Sequence, residues 1–273
     1  MATRILVAVV LAPLFFVVLF FLPPVWLAAV MAAISAMAAF ELLRATRVAH
    51  HNGAYVLTVL AAALIPLGYW AGLDDWGTRA VAVVLMCGLF LLAVRLYGTE
   101  QAMDFEHVMV CLFGGVAIPL FLSALVQLKE MDNGRYLVLL PVICAFLTDA
   151  GAYFAGVFLG RHRGITKVSP NKSVEGYIGG ILAGGLFLLL YGLILIRFAG
   201  LAVSLPTLAV YGLVGSAVTE LGDLAFSFVK RQYGVKDYGH LLPGHGGMLD
   251  RFDSMVFAAP RSEEHTSELQ SRI

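Results

Sequence analysis

ILVAVVLAPLFFVVLFFLPPVWLAAVMAAISAMAAFELL, residues Ile5 to Leu43, contains one acidic residue and no basic one. A bilayer hydrocarbon core of about 30 Å takes ~20 helical residues, so this run is long enough for two crossings. Pro23-Pro24 divides it, because proline has no backbone N–H with which to continue a helix ladder. The pattern predicts spans over 5–22 and 25–43 joined by a tight hairpin. No small-residue cleavage site separates them, so the first is expected to be a retained membrane helix rather than a removed signal peptide.

Working outward, comparable apolar segments cover 55–72, 79–96, 107–127, 136–160, 174–197 and 205–226, and a ninth opens at Met255. The chain is 60% hydrophobic and 13% charged, with a formal net charge of zero. These features predict an all-α, polytopic transmembrane bundle of about eight helices with a truncated ninth, and give no basis for nucleic-acid binding. Cys87, Cys111 and Cys144 lie far apart in apolar runs and are expected to be buried packing residues rather than a disulfide or metal site. No internal repeat is visible. The last thirteen residues, RSEEHTSELQSRI (261–273), cut off the ninth segment abruptly. They resemble the conceptual translation of a sequencing-adapter oligonucleotide joined after Pro260, and are set aside as a non-native tail that replaces the native C-terminal helix. The expected organisation is therefore 1–135, N-terminal membrane helices; 136–260, a catalytic membrane region with polar loops; and 261–273, the foreign tail.

With the N-terminus in the cytoplasm, one face collects twelve basic residues, from Arg4, Arg44, Arg47 and Arg95 through Arg161, Arg163, Lys167 and Lys172 to Lys230, Arg231, Lys236 and Arg251. The other collects Arg79, Lys129, Arg135 and Arg197. Positive residues concentrate on the cytoplasmic side of membrane proteins, so the polar clusters at 161–175 and 227–254 are expected to face the cytoplasm.

SFVKRQYGVKDYGHLLPGHGGMLDRFD, residues 227–253, is a dense cluster of charge in an otherwise mostly apolar chain. Charge beside hydrocarbon is costly and calls for a reason. Lys230, Arg231, Lys236 and Arg251 suit phosphate oxygens, and Gly244, Gly246 and Gly247 allow backbone N–H groups to approach an anion. Asp250 and Asp253 are three apart and share a helix face; with Asp223 upstream they suit a hard cation such as Mg²⁺. The alternative is a solvated interfacial loop whose charges pair with one another or with lipid headgroups. His245 suits a hydrogen bond to phosphate, a proton transfer or a turn contact; with no HxxxH pattern or Cys pair beside it, zinc is not expected.

In GRHRGITKVSPNKSVEGYIGG (160–180), Lys172 offers a cation and Ser173 a hydroxyl, while Ser173 and Glu175 equally suit capping of the following helix. Asp149, inside an apolar segment, marks either a functional cavity or a segment that ends early at the interface. Glu41 is expected to snorkel or pair with Arg44.

Ser227 to Asp253 resembles the signature of the phosphatidate cytidylyltransferase (CDP-diacylglycerol synthase) family: S-x-hydrophobic-K-R, four residues, K-D, then P-G-H-G-G, two residues, D-R-hydrophobic-D. Upstream, SPNKSVEG resembles the family's S-P-x-K-T-x-E-G motif, with Ser173 in place of threonine. Asp149 to Arg161 resembles its D-x-x-A-Y-F…G-R segment, and Glu220 to Leu224 its lead-in. The detailed resemblance covers about 140–260. It implies an integral enzyme of the bacterial inner membrane that joins CTP to phosphatidate, giving CDP-diacylglycerol and pyrophosphate at the cytoplasmic face. Asp223 and Asp250 are then the expected Mg²⁺ ligands, with Asp149 and Asp253 as weaker ones, and a K⁺ ion is associated with the family's metal centre. Asp223, Lys230, His245, Asp250 and Asp253 are the implied catalytic set. Lys172, Ser173, Ser227, Arg231, Lys236, Gly246, Gly247 and Arg251 are the implied substrate contacts. The family also implies a homodimer. A CTP-dependent polyprenol or phytol kinase is the rival enzyme and an anion transporter the rival outside enzymes, although the latter is expected to show repeated halves around a midplane site.

Overall fold

The computed structural model describes residues 2–48, 52–164, 166–241 and 246–258; their regular structure is helical, with an isolated bridge between Arg163 and Ser173. His245, with Leu242 to Gly244, and the tail at 261–273 lie outside the described residues. Among the described residues, seven helical stretches are long and apolar enough to cross a membrane: 24–45, 52–70, 75–96, 105–130, 134–158, 174–199 and 205–232. The chain is an integral membrane protein by this measure, and its helices present large apolar side chains such as Val84, Leu91, Val94 and Phe158 outward. The chain separates into two compact units, residues 1–130 with 232–252, and 131–231 with 253–273. Residues 232–252 group with the N-terminal helices.

In the first unit, α1 (Ala2–Phe20) and α2 (Pro24–Ala45) meet at the expected proline break. Pro24 takes the first helical position, where its missing N–H costs nothing. Helices α3 (Asn52–Trp70), α4 (Asp74–Leu96), α5 (Phe105–Leu112) and α6 (Ile118–Glu130) follow. A π-turn at Phe113–Ala117 joins the last two, just before Pro119, which has no N–H to continue the ladder. Leu43, Ala61, Leu85, Leu89, Val108 and Cys111 form the core beneath these helices. Lys129 donates to the Leu19 carbonyl, so the ends of α1 and α6 lie on one side, as alternating spans require. Contrary to the cysteine expectation, Cys87 is exposed on α4, whereas Cys111 is buried.

The second unit contains the short α7 (Gly134–Leu137), α8 (Leu139–Phe158), α9 (Val174–Ile194) with a terminal π-turn (Leu195–Ala199), and α10 (Leu205–Gln232). Small residues let these helices approach closely, which is how membrane helices gain packing energy when no hydrophobic drive separates protein from lipid. A Cβ built on Gly212 of α10 would lie 2.7 Å from Gly185 Cα and 2.9 Å from the Gly184 carbonyl of α9. Buried Thr148 bonds the Cys144 carbonyl at 2.6 Å and Ser216 Oγ at 2.7 Å, tying α8 to α10 through polar groups that lipid could not satisfy. With 28 residues, α10 is roughly 42 Å long at ~1.5 Å per residue, against a hydrocarbon core of about 30 Å, so its last turns project past the core. The last helix, α11 (Leu249–Ala258), starts in the first unit and ends in the second.

Candidate active site

Helix α10 carries Glu220, Asp223, Ser227 and Lys230 at spacings of three and four, which places them on one helix face. In the second unit this stripe meets the segment that leads into α9. Lys172 Nζ lies 2.7 Å from Glu220 Oε2 and 2.5 Å from Asp223 Oδ2, and 5.0 Å from the centre of the Tyr177 ring. Burial alone would lower the Lys172 pKa, but Asp223 and Glu220 outweigh it and hold the ammonium well above the usual lysine range. The Glu220 side chain is 4% exposed, and its other oxygen, Oε1, is buried with no hydrogen-bond partner.

The Lys172 loop is fixed from both sides. Ser173 is the N-cap of α9 and accepts from the Gly176 N–H at 3.1 Å, so it fulfils the capping alternative. Glu175 instead reaches back to His162, 2.6 Å from Nδ1 and 3.3 Å from its backbone N–H. Arg231 Nε donates to the Val168 carbonyl at 3.4 Å and helps hold the same loop.

Further along the stripe, Lys230 Nζ is 3.7 Å from Asp253 Oδ2. Asp253 is 7% exposed. Burial is the main cause that raises its carboxyl to about 7; Asp223 and Asp149 push the same way, while Lys230 and the Ser254 N–H oppose them. Asp149 lies well inside α8, so the segment does not end early, and its Oδ2 accepts from Ser254 Oγ at 3.1 Å. Ser227 is half-buried between Asp223 and Lys230 along α10.

Asp223 and Asp149 thus disfavour the charged form of Asp253, and Lys230 offsets this only in part. The hard oxygen donors of these carboxylates fit Mg²⁺. Among the described residues no three His, Cys, Asp or Glu side chains are arranged around one metal position. Mg²⁺ does not need three, since it commonly takes one or two carboxylates and completes its octahedron with water and phosphate oxygens.

In the first unit, Asp250 and Glu41 organise the glycine turn. Asp250 Oδ2 accepts the N–H groups of Tyr238 at 2.8 Å and Gly247 at 3.0 Å. Gly246 has φ +82°, a left-handed backbone that favours glycine. Glu41 directs its oxygens to the N–H groups of Met248 and Leu249 rather than to Arg44, correcting the snorkelling expectation. Lys236 and Arg251 are exposed.

Residues 2–263 match the model of the cytidylyltransferase family. The chain belongs to this family. Among its relatives, it is similar to the phosphatidate cytidylyltransferase of Thermotoga maritima, with 32% identity over 261 residues covering 95% of this chain and 94% of the relative. The phosphatidate cytidylyltransferase of Bacillus subtilis is 32% identical over 231 residues, 84% of each chain. That of Staphylococcus haemolyticus is 32% identical over 209 residues, 75% of this chain and 76% of the relative.

Within this cytidylyltransferase framework, the second unit brings together Asp149, Lys172, Asp223, Lys230 and Asp253 from the sequence-derived set. Sequence reasoning gave no separate role to Glu220 or Ser254. Glu220 was detectable as an acid three residues before Asp223 on a helical stripe. Ser254 had no such signal, because its bond to Asp149 joins positions 105 residues apart.

Proposed function

We propose that this chain is a membrane nucleotidyltransferase that joins CTP to phosphatidate, forming CDP-diacylglycerol and pyrophosphate at the cytoplasmic face of a bacterial plasma membrane. The observation that carries this is the interleaving of ammonium and carboxylate groups along one face of α10, with Lys172 against Glu220 and Asp223, and Lys230 against Asp253. The family match and the relatives named for this reaction support it, as does the excess of basic residues on the side that carries both polar clusters.

A lipid phosphate oxygen attacks the α-phosphorus of CTP in line; the new P–O bond forms as the bond to the departing pyrophosphate breaks. Such a step needs positioning and charge neutralisation more than covalent participation. Lys172 and Lys230 neutralise phosphate oxygens, and Glu220 holds the Lys172 ammonium at one place. Asp223 and Asp253 would hold Mg²⁺, with Asp149 nearby, and the bound ion would supply charge neutralisation for phosphate oxygens. The acyl chains remain in lipid while the headgroup meets the nucleotide at the membrane boundary.

Position-specific label tests the reaction. With phosphatidate and Mg²⁺, label from the α-phosphorus of CTP should enter the lipid fraction, and label from the γ-phosphorus should leave as pyrophosphate. Transfer of γ-label to a polyprenol or phytol, with α-label left in CDP, would overturn the assignment in favour of a kinase.

A further inference from the structure

On the basis of this proposed cytidylyl transfer, we infer that Glu41, a carboxylate inside the membrane helix α2, is a positioning residue that sets the start of α11. Glu41 is 5% exposed and reaches a segment more than 200 residues away in the chain. Its Oε1 accepts the Met248 N–H at 3.0 Å and its Oε2 the Leu249 N–H at 2.8 Å. The first N–H groups of a helix have no partner within the helix. Here a buried carboxylate satisfies two of them at the start of the helix on which Asp250 and Asp253 ride.

Two glycines are shaped to this carboxylate. A Cβ on Gly239 would lie 2.3 Å from Glu41 Oε1, and a Cβ on Gly247 would lie 2.4 Å from Oε2 and 2.6 Å from both Oε1 and Cδ. Gly247 has no positive φ, so its backbone does not demand glycine; the Glu41 carboxylate does. The final glycine of the turn is therefore a receptor for a side chain from α2, where its sequence alone suggested a cradle for phosphate. Asp250 bonds the Gly247 N–H from the same turn. Glu41 and Asp250 thus hold three consecutive backbone N–H groups, at 247, 248 and 249, and fix the first turn of α11.

The experiment uses the full chain in native-like membranes, with Glu41→Gln, Glu41→Ala, Gly247→Ala and the Glu41→Ala/Gly247→Ala double variant. Glutamine keeps the volume and one acceptor oxygen but turns an N–H₂ toward a backbone N–H. The expected result for Glu41→Gln is a folded protein whose kcat falls at least tenfold while KM for CTP stays within about threefold. Backbone hydrogen exchange should accelerate in a peptide covering 246–252 and remain unchanged in one covering α3. Gly247→Ala displaces the carboxylate, so the double variant should be no worse than the poorer single one. Losses that multiply in the double variant, an unchanged kcat, or a Glu41→Gln protein that does not fold would each overturn the positioning role. Accelerated exchange at 246–252 without CTP-dependent conversion in the unsubstituted chain would leave the anchor standing and overturn the proposed reaction.

Discussion

Replacing Lys172 with methionine tests the centre of the site most directly. Methionine keeps the apolar stem against Tyr177 and deletes the ammonium that lies 2.7 Å from Glu220 and 2.5 Å from Asp223. Removing one member of a buried ion pair costs about 3–5 kcal/mol, because the partner stays buried without compensation. Side-chain exposures of 29% for Lys172 and 26% for Asp223 favour the lower end, whereas Glu220, at 4%, has little access to water. The expected destabilisation is therefore about 3 kcal/mol, measured by equilibrium unfolding in mixed micelles, together with loss of CTP-dependent conversion. Glu220→Gln should rescue stability in the Lys172→Met background without restoring activity, and the cycle should give a coupling of about 1–3 kcal/mol. A Lys172→Met protein within about 0.5 kcal/mol of the unsubstituted chain, the range typical of surface changes, would refute the reasoning.

Asp253→Asn should stabilise the metal-free protein while abolishing activity. The folded carboxyl titrates at about 7 against an ordinary 3.8, so its destabilising effect is absent below pH 3.8, grows between the two values and is complete above 7. The gain should therefore appear above pH 7, at most on the order of 4 kcal/mol, and fade toward pH 4 in unfolding titrations. Asp250→Asn should abolish Mg²⁺-dependent conversion while the protein still inserts; near-normal activity would remove Asp250 from the essential set. Ser173→Ala should cost about 1 kcal/mol through loss of the α9 cap, and Ser173→Thr should recover it, both read from unfolding midpoints. Gly212→Ala should prevent the α9–α10 contact, since its Cβ would meet backbone at 2.7 Å, and is expected to lower the yield of folded protein in detergent.

The membrane architecture was legible in sequence because bilayer thickness imposes a length on apolar runs, and the double proline at 23–24 marks a break that no packing can remove. The spacing of the α10 charge stripe, 220, 223, 227 and 230, was open to the same reading, although the predicted span 205–226 stopped short of its last two positions. The roles within the stripe were not. Lys172 and Glu220 are 48 residues apart and became partners only when α9 and α10 packed closely through glycines. Glu41 shows the limit most clearly. On its own helix Arg44 was the natural partner, but burial against α11 left the carboxylate facing backbone N–H groups from the other end of the chain. The sequence by itself determined the all-α membrane architecture, the chemical character of the two polar clusters and the family signature, since these depend on local length, spacing and residue type. Tertiary structure decided which charges neutralise each other, which carboxylate is nearly sealed from water, and which glycine serves a side chain. Those outcomes depend on distance and desolvation, which exist only once segments far apart in sequence have packed.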